Sequence, residues 1–264
     1  MQRIQKGLMM DASTDAQVAQ IVELIANARS IAFLSGAGIS TESGIADFRS
    51  PGGIWSKIKP IQYQDILSDE DIRLEDWRRR FHFQAEFDAA EPNDGHRAIA
   101  EILKGDSGLG LVTQNIDGLH QRSGLDEAQM IEIHGNGTRA ACLTCESPMS
   151  LAEAKGIIEK SGRAPRCRRC DGLVKANVIS FGQPMPVDKV VAATRMAQAC
   201  DLFVVVGSSL VVQPVATLPV QAMQSGAKLL IINRDPTPLD SVADLVVHAD
   251  LGATLGDVAR KLAT

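Results

Sequence analysis

Ile31-Ala32-Phe33-Leu34-Ser35-Gly36-Ala37-Gly38-Ile39-Ser40 decides the fold. Ile31 to Leu34 is a short, wholly apolar run that meets a glycine-rich turn, the pattern of a strand buried on both faces. Paired glycines after such a strand let backbone N–H groups approach a pyrophosphate at a helix N-terminus. The same pattern also fits a plain turn, because Thr41 stands where the third glycine of the strict dinucleotide fingerprint falls. Upstream, Val18, Ile21, Val22 and Ile25 recur at helical spacing and predict a helix over Ala16–Ala28, with Ser13, Thr14 and Asp15 available to cap it. Downstream, the spacing predicts a helix over Arg97–Lys104 and strands over Leu109–Thr113 and Met130–Ile133. Then come a helix over Val187–Gln198, a strand over Leu202–Val206, a helix over Pro214–Gln224, strands over Lys228–Asn233 and Leu245–Val247, and a helix over Gly252–Leu262. Strands alternating with helices of this length imply an α/β fold, a doubly wound, Rossmann-like parallel sheet.

Two stretches break the alternation. Pro51 to Ala90 is long, aromatic-rich and irregular, which suits a lid or a small helical lobe. Ala140 to Ala176 turns to cysteine, arginine, glycine and proline and reads as an insertion. The chain is therefore expected to be one domain, 1–264, with a large lobe formed by 15–50, 92–139 and 177–264. The lid is expected over 51–91 and the insertion over 140–176.

With 264 residues, 45% hydrophobic and 22% charged, the chain has ordinary globular composition, and disorder is excluded. A net charge of -5 argues against a broad nucleic-acid surface. From Met1 to Ala12 the apolar stretch around Leu8 to Met10 is too short for a signal core or a membrane span. A cytoplasmic location without membrane contact is the expectation, and Met9 and Met10 leave a later start open. Cys142-x-x-Cys145 and Cys167-x-x-Cys170 enclose 21 intervening residues. In a cytosolic chain such pairs indicate a zinc ribbon before a disulfide. Four thiolates fill the tetrahedral shell of one Zn²⁺ and leave no open position, so the site is structural. Arg163, Arg166, Arg168 and Arg169 are expected to offset its excess negative charge, a role preferred to nucleic-acid binding. Cys200, before an apolar strand, reads as a small buried hydrophobe.

The residues with chemistry cluster at strand ends, where open α/β sheets bind ligands. Thr113-Gln114-Asn115-Ile116-Asp117-Gly118-Leu119-His120 puts an amide and a carboxylate there, a pair suited to a carboxamide and equally able to cap a helix. His134 follows Ile131-Glu132-Ile133 and precedes Gly135, and an imidazole, with a pKa of about 6.5, accepts a proton at neutral pH. His82, His96, His120 and His248 are given structural roles. Gly207-Ser208-Ser209-Leu210 offers small residues after a buried strand, suited to phosphate or ribose.

The run from Gly36 to Arg49, together with the Thr113–His120 block, His134-Gly135 and the paired cysteines, resembles the sirtuins, the NAD-dependent lysine deacylases. Ala46 stands where that signature has proline. The resemblance covers about Ala28 to Val247. It implies that Gly36, Ala37, Gly38, Ser40, Ile45, Asp47, Phe48 and Arg49 bind NAD. Asn115, Asp117 and the Ile116 backbone would hold the nicotinamide amide, and Gln114 its ribose. Gly207, Ser208 and Ser209 would reach phosphate or ribose, Asn233 and Arg234 the adenine ribose region, and Leu251 the adenine. Val178, Ser180, Phe181 and Gly182 would pair with an extended acyl-lysine peptide as an added strand, with Gln183 where the family usually has an acid. His134 is implied as the base, catalytic together with Asn115 and Asp117. It would deprotonate a ribose hydroxyl after the acyl oxygen attacks the anomeric carbon. Free lysine, nicotinamide and acylated ADP-ribose would be the products, with Zn²⁺ taking no chemical part.

Pro60-Ile61-Gln62 and the Trp77 to Phe81 stretch look closest to class II sirtuins. Trp77-x-x-Arg80 replaces the Tyr-x-x-Arg pair of relatives that take acidic acyl chains and does not support succinyl or malonyl specificity. Trp55, Ile58, Trp77, Phe81, Phe83 and Phe87 either line an apolar acyl tunnel or pack the lobe. Protein mono-ADP-ribosyl transfer or lipoamidase-type deacylation at the same site are the alternatives. An NAD hydrolase is disfavoured by the zinc ribbon and the peptide segment, and a non-catalytic NAD or zinc-ribbon binding module because pure binding needs no base.

Overall fold

A computed structural model describes residues 12–264. The readings made on Met1 to Asp11 lie outside the described residues. In chain order the regular elements begin with α1 (Ala12–Asn27), β1 (Ile31–Ser35), α2 (Ile54–Lys57), α3 (Tyr63–Ser68), α4 (Glu70–Ala89), α5 (Asp94–Lys104), β2 (Gly108–Thr113) and α6 (Leu119–Arg122). They continue with β3 (Met130–Glu132), β4 (Gly135–Cys142), β5 (Pro148–Met149), α7 (Leu151–Ser161) and β6 (Val174–Val178). The last are α8 (Val187–Ala199), β7 (Leu202–Val206), α9 (Leu218–Gln224), β8 (Lys228–Ile232), β9 (Leu245–Val247) and α10 (Leu251–Leu262).

Six strands form one parallel sheet in the order β3-β2-β1-β7-β8-β9. Alternation along each strand builds two cores. Ile31, Phe33, Val204 and Val206 face one side, under α1, α5 and α10. Ala32, Leu34, Phe203 and Val205 face the other, under α8 and α9. Each of the large side chains among them is wholly buried, a contribution of about 1.5–3 kcal/mol apiece. This is why β1 reads as a continuous apolar run.

A second, antiparallel sheet of order β5-β4-β6 carries α7 and packs on α4. Its small core holds Trp77, Met149, Ala154 and Val174 together with Cys142 and Cys167. The antiparallel pairing runs from Gly135 to Val178, so it extends a few residues beyond the change in composition at 140 and 176.

Several elements differ from the sequence expectations. α1 starts at Ala12, so Ser13, Thr14 and Asp15 occupy its first turn instead of preceding it. The helix expected from Pro214 is a 3-10 turn over Val215–Thr217 followed by α9, with Pro219 in the first turn, where its missing N–H costs nothing. The segment expected to form a lid or a small helical lobe contains α4, a helix of 20 residues whose bounds the sequence did not mark. Those bounds are hidden because its buried face mixes Trp77 and Phe87 with Arg73 and Arg80, so no apolar stripe marks them. Asp69 caps it, accepting from Asp71 N and Ile72 N.

Candidate active site

The chain leaves β1 toward β2 and β3 and later returns to place β7 on the other side of β1. Loops after β1 and β7 therefore diverge from one point and open a crevice at the carboxyl ends of the strands. Three glycines lock the two loops together. Gly36 N–H donates to Val206 O at 3.0 Å and Gly38 N–H to Gly207 O at 2.9 Å. A Cβ on Gly38 would lie 2.8 Å from the Gly207 Cα, and one on Gly207 2.4 Å from the Ile39 nitrogen. The amides of Gly36 and Gly38 are thus engaged within the chain, and what these glycines supply is close approach. Ala37–Ser43, which follows, is a 3-10 helix.

Beside this junction lies a cavity of about 500 Å³. Its wall brings together Ala37, Ser40, Ile45, Phe48 and Arg49 from the β1 loop and Gln114, Asn115, Ile116 and Asp117 from the end of β2. His134 and the β6 exit, with Val178, Ser180, Phe181 and Gly182, complete that side. The lid contributes Trp55, Ile58, Phe83 and Phe87, whereas Trp77 and Phe81 stack at 5.5 Å against the cysteine-bearing lobe. Gly36, Gly38, Asp47, Gly207, Ser208, Ser209, Asn233, Arg234 and Leu251 are outside the cavity wall. Of these, Asp47 accepts from the Arg49 and Ser50 amides and so shapes the loop. Burial pushes its carboxyl up, but the Ser50 and Arg49 hydrogen bonds outweigh this and hold it below its usual value. Asn233 donates through Nδ2 to Asp235 O at 2.6 Å, Arg234 pairs with Asp250 at 2.9 Å on the surface, and Leu251 packs next to Gly207.

His134 is held from both sides. Ile179 N–H donates to its carbonyl at 2.9 Å, and its Nδ1 lies 3.1 Å from the Gln114 carbonyl. A carbonyl only accepts, so Nδ1 carries the proton and Nε2 keeps a lone pair. Burial lowers the His134 pKa, and the Arg49 charge adds to this against the opposing pull of the Gln114 carbonyl. The ring is therefore neutral at neutral pH, as a base must be.

Asp117 and Asn115 are buried and share Ser40. Ser40 Oγ donates to Asp117 Oδ2 at 2.7 Å and accepts from Asn115 Nδ2 at 3.2 Å, while Leu119 N–H donates to Asp117 Oδ1 at 2.9 Å. The helix-capping reading of Asp117 is thus also met, by its second oxygen. Burial raises the Asp117 pKa against these two hydrogen bonds. Behind Ser40, His96 Nε2 lies 3.5 Å away, and Asn93 N–H donates to His96 Nδ1 at 3.4 Å. Burial drops the His96 pKa to about 4. His120 reaches Ser35 Oγ at 2.8 Å. Both histidines are structural in the sense expected, inside the network that supports the site.

Sequence reasoning missed two parts of the wall. Val211, Val212 and Gln213 line it from the loop after β7. Asp76 and Lys175 bring buried charge to the lid end beside Arg80, and burial raises the pKa of Asp76 and lowers that of Lys175 to about 8. Asp76 and Arg80 are spaced one helical turn apart, a signal available only once α4 is recognised.

The four Sγ atoms of Cys142, Cys145, Cys167 and Cys170 lie within 4.8 Å of one another. A tetrahedron with metal–sulfur bonds of about 2.3 Å has edges of about 3.8 Å, and separations of 3.5 Å for Cys142–Cys170 and 3.6 Å for Cys145–Cys167 suit it. The cluster fits one Zn²⁺ closed by protein sulfur. Three of the four arginines expected to balance its charge pair elsewhere: Arg163 faces Glu70, Arg166 faces Asp171 and Arg168 faces Glu153. Backbone N–H groups of Thr144 and Arg169 point at the sulfurs of Cys142 and Cys167 instead. Cys200 is buried, and burial pushes its thiol up to about 11, which fits a hydrophobe.

Comparison with known proteins points the same way. The family model described as Sir2 family matches residues 36–214. The chain is 48% identical to an NAD-dependent protein deacetylase of Rhodopseudomonas palustris over 94% of its own length and 98% of that protein's. It is 47% identical to NAD-dependent protein deacetylase 1 of Bradyrhizobium diazoefficiens, covering 90% and 94% of the two chains. Among solved structures, a Sir2 enzyme studied for mechanism and regulation superposes with a TM-score of 0.80 at 35% identity, over 94% of this chain and 98% of the other. A Sir2–p53 peptide–NAD⁺ complex does so with a TM-score of 0.77 at 33% identity, over 92% and 97%. Fold, cavity, cysteine cluster and likeness along nearly the whole length agree, and the chain belongs to the Sir2 family.

Proposed function

We propose that this protein is an NAD-dependent protein lysine deacylase, which transfers the acyl group to ADP-ribose and releases nicotinamide and free lysine. One observation carries the reading: a neutral histidine with a free Nε2 lone pair shares one cavity with a buried amide–carboxylate pair. Asn115 and Asp117, with the Ile116 backbone, hold the carboxamide of nicotinamide. His134 Nε2 takes the proton of a ribose hydroxyl, so that the O–H electron pair stays on oxygen as a nucleophile. Trp55, Ile58, Phe83 and Phe87 exclude water around the acyl chain.

Gly207, Ser209, Asn233, Arg234 and Leu251 serve the adenosine and phosphate end, beyond the cavity, whereas the Ser208 hydroxyl is engaged by Gln114 Oε1 at 2.7 Å. The acyl-lysine peptide lies along Val178 to Gly182. Phe181 O already accepts from Tyr63 N–H and Ser180 N–H donates to Gln183, whereas Gly182 N–H and C=O have no hydrogen-bond partner among the described residues, leaving them to the peptide. The structural Zn²⁺ at Cys142, Cys145, Cys167 and Cys170 takes no part in bond making. The lobe boundaries at 51–91 and 140–176 belong to the same proposal. So does a cytoplasmic location, supported by the reduced thiols the cluster requires. No helix among the described residues is long and apolar enough to cross a membrane.

The test is incubation with NAD and peptides carrying acetyl, longer apolar, acidic and lipoyl lysines, with every ADP-ribose product identified by mass spectrometry. Acylated ADP-ribose and nicotinamide in equal amounts are expected. His134→Ala is expected to keep NAD affinity and to lose about 10²-fold or more in turnover. ADP-ribose attached to the peptide, with the acyl group retained, would establish the transferase alternative instead.

A further inference from the structure

Gln114 is fixed more completely than a substrate-contacting side chain needs to be. Its N–H donates to Ser35 O at 2.9 Å and its carbonyl takes the His134 Nδ1–H, so its backbone joins β1 to the base. Its side chain is held from a third strand. Ser208, buried in the loop after β7, donates through Oγ to Gln114 Oε1 at 2.7 Å. Ser208 Oγ also lies 3.4 Å from Leu210 N–H, which occupies its accepting side. With the amide turned over, the hydroxyl proton would lose its acceptor. The amide oxygen is therefore committed away from the cavity. Gln114 Nε2 has no hydrogen-bond partner among the described residues, and Gln114 lines the cavity with His134.

We propose that Ser208 is a positioning residue, whose hydroxyl orients the Gln114 amide so that its N–H pair faces the sugar oxygen from which His134 removes a proton. The inference rests on the deacylase reading. As His134 Nε2 gains the proton, negative charge grows on that oxygen, and a preoriented N–H donor stabilises it most when the charge is largest. An unfixed amide offers its oxygen part of the time and opposes the same step. Ser208 thus acts on chemistry through Gln114, without touching the reacting atoms.

The experiment is a double-mutant cycle on the zinc-loaded protein, with Ser208→Ala, Gln114→Ala and both together, reading kcat and KM for nicotinamide release. Ser208→Ala is expected to lower kcat about tenfold with NAD affinity little changed, and to add nothing in the Gln114→Ala background. Ser208→Thr, which keeps the hydroxyl, is expected to restore kcat. Independent losses in the double variant, or a loss of NAD affinity with kcat intact, would overturn the proposal, the latter making Ser208 a direct nucleotide ligand. A readout free of turnover separates this from failure of the deacylase reading. In a ¹⁵N spectrum the Gln114 side-chain amide, assigned by its absence in Gln114→Ala, is expected to shift in Ser208→Ala and to stay in Ser208→Thr. An unmoved resonance refutes the orientation whether or not the protein turns over.

Discussion

Burial pushes the Asp117 carboxyl up and the His134 imidazole down, and both serve one cavity. It keeps His134 neutral, and it lowers the His96 pKa from 6.5 to about 4. The His96 shift makes a statement about stability. An unfolded chain takes up this proton near pH 6.5 and the folded one only near pH 4, so between those values the unfolded state binds more protons and folding weakens as the pH falls. His96→Gln keeps an acceptor for Asn93 N–H and a donor for Ser40 while removing the titration. Its stability, followed by chemical denaturation, is expected to depend less steeply on pH between 6.5 and 4 than that of the parent. Identical slopes would show that His96 is protonated in the folded protein.

At the scale of elements, the strands were legible because β1 and β7 are buried on both faces, and a run such as Leu202–Val206 has few other readings. α4 and α7 were not. Their apolar positions are set by a partner lobe, so neither the charges of α4 nor the cysteine-rich surroundings of α7 disclose a helix. His134, Asn115 and Asp117 were legible from their strand-end positions only together with the sirtuin resemblance, whereas Lys175, Asp76 and Val211 come from segments with no motif and meet only in three dimensions. The β1 and β7 loops yield a prediction of their own. Gly44 and Gly207 both have positive φ, 86° and 63°, but a Cβ on Gly44 meets nothing within 4 Å while one on Gly207 meets backbone. Gly44→Ala is expected to cost about 1–2 kcal/mol for the left-handed backbone alone. Gly207→Ala adds overpacking of about 1–3 kcal/mol and pushes the two loops apart, which NAD affinity would report as well as a thermal melt. Equal losses at the two sites would mean that the loops do not depend on close approach.

Across the whole molecule, stability is divided between two kinds of core. The parallel sheet has apolar layers on both faces, with Phe33, Phe203 and the isoleucines of β8 wholly buried. The antiparallel lobe has a small core in which Cys142 and Cys167 are themselves members, so its folding energy depends on what joins the four sulfurs. Cys145→Ser, or chelation of the metal, is therefore expected to open β4, β6 and α7 while the parallel sheet stays folded. The active site would still be lost. Gly135 pairs with Val178, and Ile179 N–H holds the His134 carbonyl, so the base and the peptide-facing segment hang from the strands that unfold. Hydrogen exchange after chelation tests this division: fast exchange at β4–β6 and α7, continued protection at β1, β7 and β8, and loss of turnover ahead of any global transition are expected. Loss of protection in both sheets at one rate would show instead that the metal holds the entire chain together as a single cooperative unit.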